Sequence, residues 1–151
     1  MDPKETINDI LVNLFNEILK LEEEAIITEE FKDITNNDMH IIEAIGLSGE
    51  NTMSAVAKKL NITAGSLTTS VNALVNKKYV KRQRSKEDRR VVFLDLTEKG
   101  KRAYEHHREY HRQMTEAVLA RLNDEEVSVL TKALKDLSDF FRGYKDLVKK
   151  Q

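Results

Sequence analysis

No cysteine occurs among the 151 residues. That excludes disulfides, iron–sulfur clusters and thiol-based redox sensing. No apolar run approaches the roughly 18 residues of a membrane-spanning helix. The opening Met-Asp-Pro-Lys-Glu lacks the basic-then-apolar order of a signal peptide, so a cytoplasmic protein without a membrane segment is expected. Proline occurs once, at Pro3, and glycine five times. So few breakers over this length imply a mainly helical chain. They also leave no phosphate-cradling glycine loop and no nucleophile elbow, and an enzyme is not expected. No cofactor is implied.

Charge of either sign is nearly absent in sum, with a formal net of −1, but its distribution is uneven. Lys77 to Arg90 holds eight basic side chains against two acidic, a net of +6. Lys4 to Asp33 holds nine acidic against three basic, a net of −6. A charge run alone is most often a solvated face. Beside a DNA-binding motif it becomes the basic face of a neutral molecule.

Apolar spacing supplies the motif. Asp2, Pro3 and Glu5 suit a helix start with a capping box. Ile7, Leu11, Leu14, Ile18, Leu21 and Ala25 then recur at 4-3-4-3-4 spacing, and Val127, Leu130, Leu134, Leu137, Phe141, Tyr144 and Val148 at 3-4-3-4-3-4. Either row could be the buried stripe of an ordinary amphipathic helix. Heptad-like rows at both chain ends also suit pairing with a second copy. Between them, Asp38 to Ile45 reads as a helix ending near Gly46. Thr52 caps a second, with Met53, Val56, Ala57 and Leu60 inward. Asn61-Ile62-Thr63 reads as a tight turn, with Asn61 left-handed and Ile62 plugging the gap between helices. Thr63 caps a third helix that runs to about Lys78, with Leu67, Val71, Leu74 and Val75 on one face. Tyr79 to Arg84 and Val91 to Leu96 read as strands joined by a charged loop. A long helix follows from Thr97 and Gly100, broken at Asn123 and Asp124 before the final helix.

Helix, three-residue turn, helix and basic hairpin make a winged helix-turn-helix. The expected fold is mainly α with a small β-hairpin wing. Residues 35–100 form the DNA-binding domain, and 1–34 with 101–151 a helical dimerisation lobe. On the third helix, the face opposite Leu67, Val71 and Leu74 carries Gly65, Ser66, Thr68, Thr69, Ser70 and Asn72. Short uncharged donors and acceptors there suit close approach to a major groove. The loop from Arg84 to Arg90 suits a minor groove, which attracts arginine. Its candidates are Arg84, Lys86, Arg89 and Arg90, with Asp88 expected to pair with one flanking arginine and fix the loop, leaving another arginine free to insert. A purely helical dimerisation module is the other class weighed, and it has no use for a basic hairpin.

Leu74-Val75-Asn76-Lys77-Lys78-Tyr79-Val80-Lys81-Arg82, then Asp88-Arg89-Arg90-Val91-Val92, then Leu96-Thr97-Glu98-Lys99-Gly100 resemble the MarR family of transcriptional regulators over nearly the whole chain. The resemblance implies a homodimer on palindromic double-stranded DNA, with Arg90 in the minor groove and Asp88 holding the wing. Phe31-Lys32-Asp33-Ile34, Met39-His40, Leu67 to Asn72, Arg84-Ser85 and Asp88 to Val92 are similar to a subgroup that represses fatty-acid synthesis genes in streptococci and their relatives. This implies a long-chain acyl group on acyl carrier protein as corepressor. Phe15, Ile18, Phe31, Ile41, Ile45, Met114 and Val118 are candidates to line an acyl pocket, and equally to fill the core. Arg102, Arg108 and Arg112 are candidates to meet the acidic carrier. A zinc-responsive relative is the rival reading, through His40, His107, His111 and Glu24, because His107 and His111 are one helical turn apart. No metal is favoured, since zinc-sensing relatives carry further histidines and usually a cysteine.

Overall fold

The computed structural model describes residues 2–148. They fall into two compact units, divided between Tyr110 and His111 and described in turn.

The first unit opens with α1 (Pro3–Asp9), where Asp2 accepts a hydrogen bond from the Lys4 backbone N–H. A π-helical segment, Ile10–Leu14, separates it from α2 (Phe15–Ile26). A π turn inserts one residue into the helical repeat. Along the apolar row, Leu11, Ile18 and Ala25 are half-buried, whereas Ile7, Leu14 and Leu21 are exposed. Glu22 and Ile26 are the buried residues of α2.

Helix α3 (Asn36–Ile45) begins earlier than its apolar pattern suggests. Thr35 and Asp38 form a reciprocal capping box, and Asp38 also accepts from Lys77 at 2.9 Å. Gly46 ends the helix at φ 65°. Asn51–Thr52 form a short strand, β1, with no signature of its own in the sequence. Thr52 then caps α4 (Met53–Leu60) through the Ala55 N–H. Asn61 is left-handed as expected, at φ 54° and ψ 48°. Ile62, however, does not plug the turn: 38% of its surface is exposed. The turn is closed instead by the backbone, with Ile62 N–H on the Ala57 carbonyl and Asn61 N–H on that of Lys58, both at 3.1 Å. This arrangement satisfies the last carbonyls of α4 without a side chain.

Thr63 caps α5 (Ala64–Asn76) through the Ser66 N–H. Leu67, Val71 and Leu74 are buried along its inner face. Strands β2 (Val80–Arg84) and β3 (Val92–Leu96) pair antiparallel from Val80 opposite Leu96 to Arg84 opposite Val92. β1 adds on the far side of β3, giving a three-stranded sheet in the order β1-β3-β2. Helix α6 (Glu98–Leu119) leaves the sheet directly.

Tyr79 is fully buried beside Phe31, with its hydroxyl donating to Asp33 Oδ1 at 2.7 Å. Lys99 Nζ lies 4.4 Å from its ring centre, a cation–π contact. The Tyr79 carbonyl receives the Thr97 N–H, and the Thr97 hydroxyl donates to the Lys78 carbonyl at 2.6 Å while accepting from Gly100 N–H. The Leu-Thr-x-x-Gly run thus joins β3, the start of β2 and α6 at one point.

The second unit comprises the end of α6 and α7 (Asp124–Val148). Asn123 and Glu126 cap α7 reciprocally, each bond 2.9 Å. Leu130, Leu134, Leu137, Phe140, Phe141 and Tyr144 of α7 are exposed in the single chain. No helix among the described residues is long and apolar enough to cross a membrane.

Candidate nucleic-acid interface

The outer face of α5 is built as its spacing suggests. Gly65, Ser66, Thr68, Thr69 and Asn72 are exposed and Ser70 is half-buried. A Cβ added at Gly65 would have no atom within 4 Å, so this glycine is not required by packing inside the chain. The hydroxyl of Thr68 donates to the Ala64 carbonyl at 2.8 Å, and that of Thr69 to the Gly65 carbonyl at 3.2 Å. The Thr63 and Ser66 hydroxyls bond each other at 2.9 Å. Asn72 Oδ1 accepts from Arg82 of β2 at 2.5 Å. This link between helix and wing strand is not visible in the sequence, where the two residues lie ten apart in different elements.

The wing is held by its own residues. Ser85 Oγ accepts from the N–H groups of Glu87 and Asp88, Ser85 N–H donates to the Val91 carbonyl, and Val91 N–H donates to that of Asp88. Asp88 fixes the loop through Arg90, whose backbone N–H lies 3.0 Å from Oδ1 and whose Nε and terminal nitrogen lie 3.2 Å from Oδ1 and Oδ2. Hydrogen bonds from the Arg90 guanidinium, and then from its backbone, hold the Asp88 carboxyl below the usual carboxylate range. This departs from the expected division of labour: the arginine that Asp88 holds is Arg90 itself, the one assigned to the minor groove, and not a neighbour that leaves it free. Its side chain remains 91% exposed. Arg84, Lys86 and Arg89 are also exposed and line a concavity beside the loop with Ser85. Ser85 was legible as a loop residue but not as its organiser.

Away from this face the candidates have other surroundings. Phe31 and Ile41 are core residues, Phe15 is exposed and Ile18 half-buried. The space that Phe31 lines with Ile26, Ile34, Met39, Ala103, His106 and His107 does not admit a water-sized sphere. In the second unit Met114 is half-buried and Val118 exposed. Arg102 is bound to Glu30 at 2.5 Å, Arg108 is exposed, and Arg112 pairs with Glu116.

His107 is buried, with Nε2 3.2 Å from Glu22 Oε1 and 2.9 Å from Glu43 Oε1, so it ties α6 to α2 and α3. Glu24 is exposed; the α2 carboxylate turned towards His107 is that of Glu22, two residues earlier. His40 is half-exposed, with Nδ1 3.8 Å from Glu43. His106 Nε2 lies 3.1 Å from the Ala25 carbonyl. Both rings thus sit against other elements of the first unit.

Two capped helices around a left-handed turn, a polar reading face and an arginine-bearing hairpin define a winged helix-turn-helix regulator. The family model described as "Transcriptional regulator SarA/Rot" matches residues 18–107, and the chain belongs to this family of winged-helix transcriptional regulators of the MarR type. The YwhA regulator of Bacillus subtilis is 30% identical over 95 residues, covering 63% of this chain and 68% of that protein. The YpoP regulator of the same organism is 32% identical over 78 residues, covering 52% of this chain. The chain spans just over half, 55%, of the length of YpoP. Among solved structures, Streptococcus pneumoniae FabT in complex with DNA is 39% identical, with a TM-score of 0.87 over 93% of this chain and 99% of that one. The MepR–DNA complex of S. aureus shares the fold, with a TM-score of 0.65 at 22% identity over 83% of this chain and 94% of that one. These relatives are transcriptional regulators, as expected of a DNA-binding protein rather than an enzyme.

Proposed function

We propose that two copies of this chain bind a palindromic operator and repress fatty-acid synthesis genes, with long-chain acyl-acyl carrier protein as corepressor. The observation that carries DNA reading is the pairing of an uncharged polar face on α5 with an exposed arginine wing. Each α5 enters a major groove, and Arg90, steadied by Asp88, enters the adjoining minor groove. The exposed apolar rows of α1–α2 and of α7 are the surfaces through which two copies pair. Pairing sets the recognition helices about one turn of DNA apart, which makes the operator a palindrome.

The fatty-acid assignment rests on the resemblance of Phe31 to Ile34, Met39-His40 and Leu67 to Asn72 to that subgroup, and is supported by the likeness to FabT. The corepressor acts by favouring the spacing of recognition helices that fits DNA. Because the space beside Phe31 is closed to water, an acyl chain entering there would have to move side chains aside. Of the three candidate arginines of α6, all exposed, Arg108 is the one assigned to an acidic carrier, since Arg102 already holds Glu30 and Arg112 pairs with Glu116.

The test is a fluorescence-anisotropy titration of the protein onto an A·T-rich palindrome from its own genomic neighbourhood, in chelator, with and without long-chain acyl-acyl carrier protein. Tightening by the acylated carrier is expected. No response, with tight binding appearing on addition of zinc, would overturn the fatty-acid assignment in favour of zinc-responsive regulation.

A further inference from the structure

We infer that Arg82 is a specificity-determining residue: it sets the orientation of the Asn72 amide, so that α5 presents a donor at that position and acceptors one turn earlier. The inference rests on the reading of α5 as the helix that enters the major groove.

The argument starts from what each group can donate. A guanidinium carries N–H donors and no acceptor. Asn72 can therefore meet the Arg82 nitrogen, 2.5 Å away, only with its carbonyl oxygen. Its NH2 group is turned away from the strand. Without Arg82, either end of the amide could face a base. Thr68 and Thr69 are constrained in the opposite sense. Each hydroxyl has a single hydrogen, and both are engaged by the carbonyls of Ala64 and Gly65. What they offer outwards is lone pairs and a methyl group.

The outer face thus has a fixed polarity. Thr68 and Asn72 are four residues apart on one helix, about 6 Å along its axis, roughly two base-pair steps. Opposite Thr68 and Thr69, the matching base edges are the amino groups of adenine or cytosine, or the thymine methyl. Opposite Asn72 they are guanine O6 and N7, adenine N7 or thymine O4. Cytosine, whose major-groove edge offers only an amino donor, is the base that Asn72 rejects while Arg82 holds it. Arg82 acts through Asn72 and is a positioning residue for recognition.

The test is binding-site selection from a randomised duplex library with the full-length wild type, Arg82→Met and Asn72→Ala, each followed by a salt titration on the selected site. Methionine keeps an extended side chain without donors, and position 82 is exposed, so folding is not at risk. Wild type is expected to exclude cytosine at one position per half-site. Arg82→Met is expected to relax that exclusion by about fivefold or more with an unchanged salt slope. An unchanged consensus in Arg82→Met would overturn the inference. If its salt slope also fell by about 0.9 per half-site, Arg82 would be a phosphate contact instead. An unchanged consensus in Asn72→Ala would overturn the reading of α5 itself, and the role of Arg82 with it.

Discussion

A Cβ placed on Gly100 would lie 2.1 Å from the carbonyl oxygen of Tyr79. The obstacle is backbone, and the same oxygen already receives the Thr97 N–H, so it cannot retreat without breaking the join between β2 and α6. Gly100→Ala is expected to destabilise the fold by about 1–3 kcal/mol, as an overpacked core site does. Denaturant unfolding would show a lower midpoint, and an unaltered midpoint would mean that α6 leaves the sheet with more room than the structure gives it.

Gly65 should behave in the opposite way. Nothing lies within 4 Å of an added methyl group, and glycine in a helix is worse than alanine by up to about 0.5–1 kcal/mol, the upper end belonging to mid-helix sites and Gly65 standing in the first turn of α5. Gly65→Ala is therefore expected to raise the melting temperature by a few degrees while weakening DNA binding, because the new methyl projects from the reading face. Thermal melts and anisotropy titrations of one preparation measure both. Tighter or equal DNA binding would place Gly65 outside the interface.

The Asp33–Tyr79 pair predicts two limbs in the dependence of stability on pH. The Tyr79 hydroxyl, and nearby lysines to a lesser degree, hold the Asp33 carboxyl below its usual range despite the opposing cost of burial. A depressed carboxyl stabilises the fold above its ordinary pKa, about 3.9, and that contribution is lost as pH falls through the folded value. Tyr79 is pushed up, chiefly by burial and then by Asp33. The unfolded chain therefore ionises this tyrosine first, and stability declines as pH rises above about 10. Tyr79→Phe should flatten the alkaline limb and weaken the acid one. A variant whose alkaline limb matches wild type would show that another group controls it.

Arg90 is expected to carry much of the wing's contribution to affinity. Arg90→Ala should weaken DNA binding by about tenfold or more while sedimentation shows an unchanged oligomeric state. Asp88→Asn should cost less, since an asparagine oxygen can still accept from the Arg90 N–H. The Asp88 carboxyl lies below its usual range, so its pair with Arg90 persists at neutral pH and is lost only in acid. A wild-type affinity for Arg90→Ala would remove the wing from the interface.

What was legible in the sequence was local. Thr52, Thr63 and Asn61 were assigned correctly because a cap or a left-handed turn depends on a few neighbouring atoms. The inner row of α5 followed from its period. Ile62 was misplaced because an apolar residue in a turn suggests burial, whereas backbone bonds alone close this one. β1 went unseen because two residues have no period; Asn51 and Thr52 are a strand only because Leu94 and Phe93 lie beside them. The π turn at Ile10–Leu14 likewise has no mark in the apolar row, whose spacing runs through it without interruption.

The sequence by itself determined the order of the longer helices and the two wing strands, the polar face of α5 and the concentration of arginine in the wing, since these follow from spacing and composition along one segment. Only the tertiary structure decided which groups from different segments meet. It brought Arg82 to Asn72, Glu22 rather than Glu24 to His107, and Asp33 to Tyr79. Such pairings turn on ångström-scale placement after packing, and a side chain two residues along a helix points some 200° away.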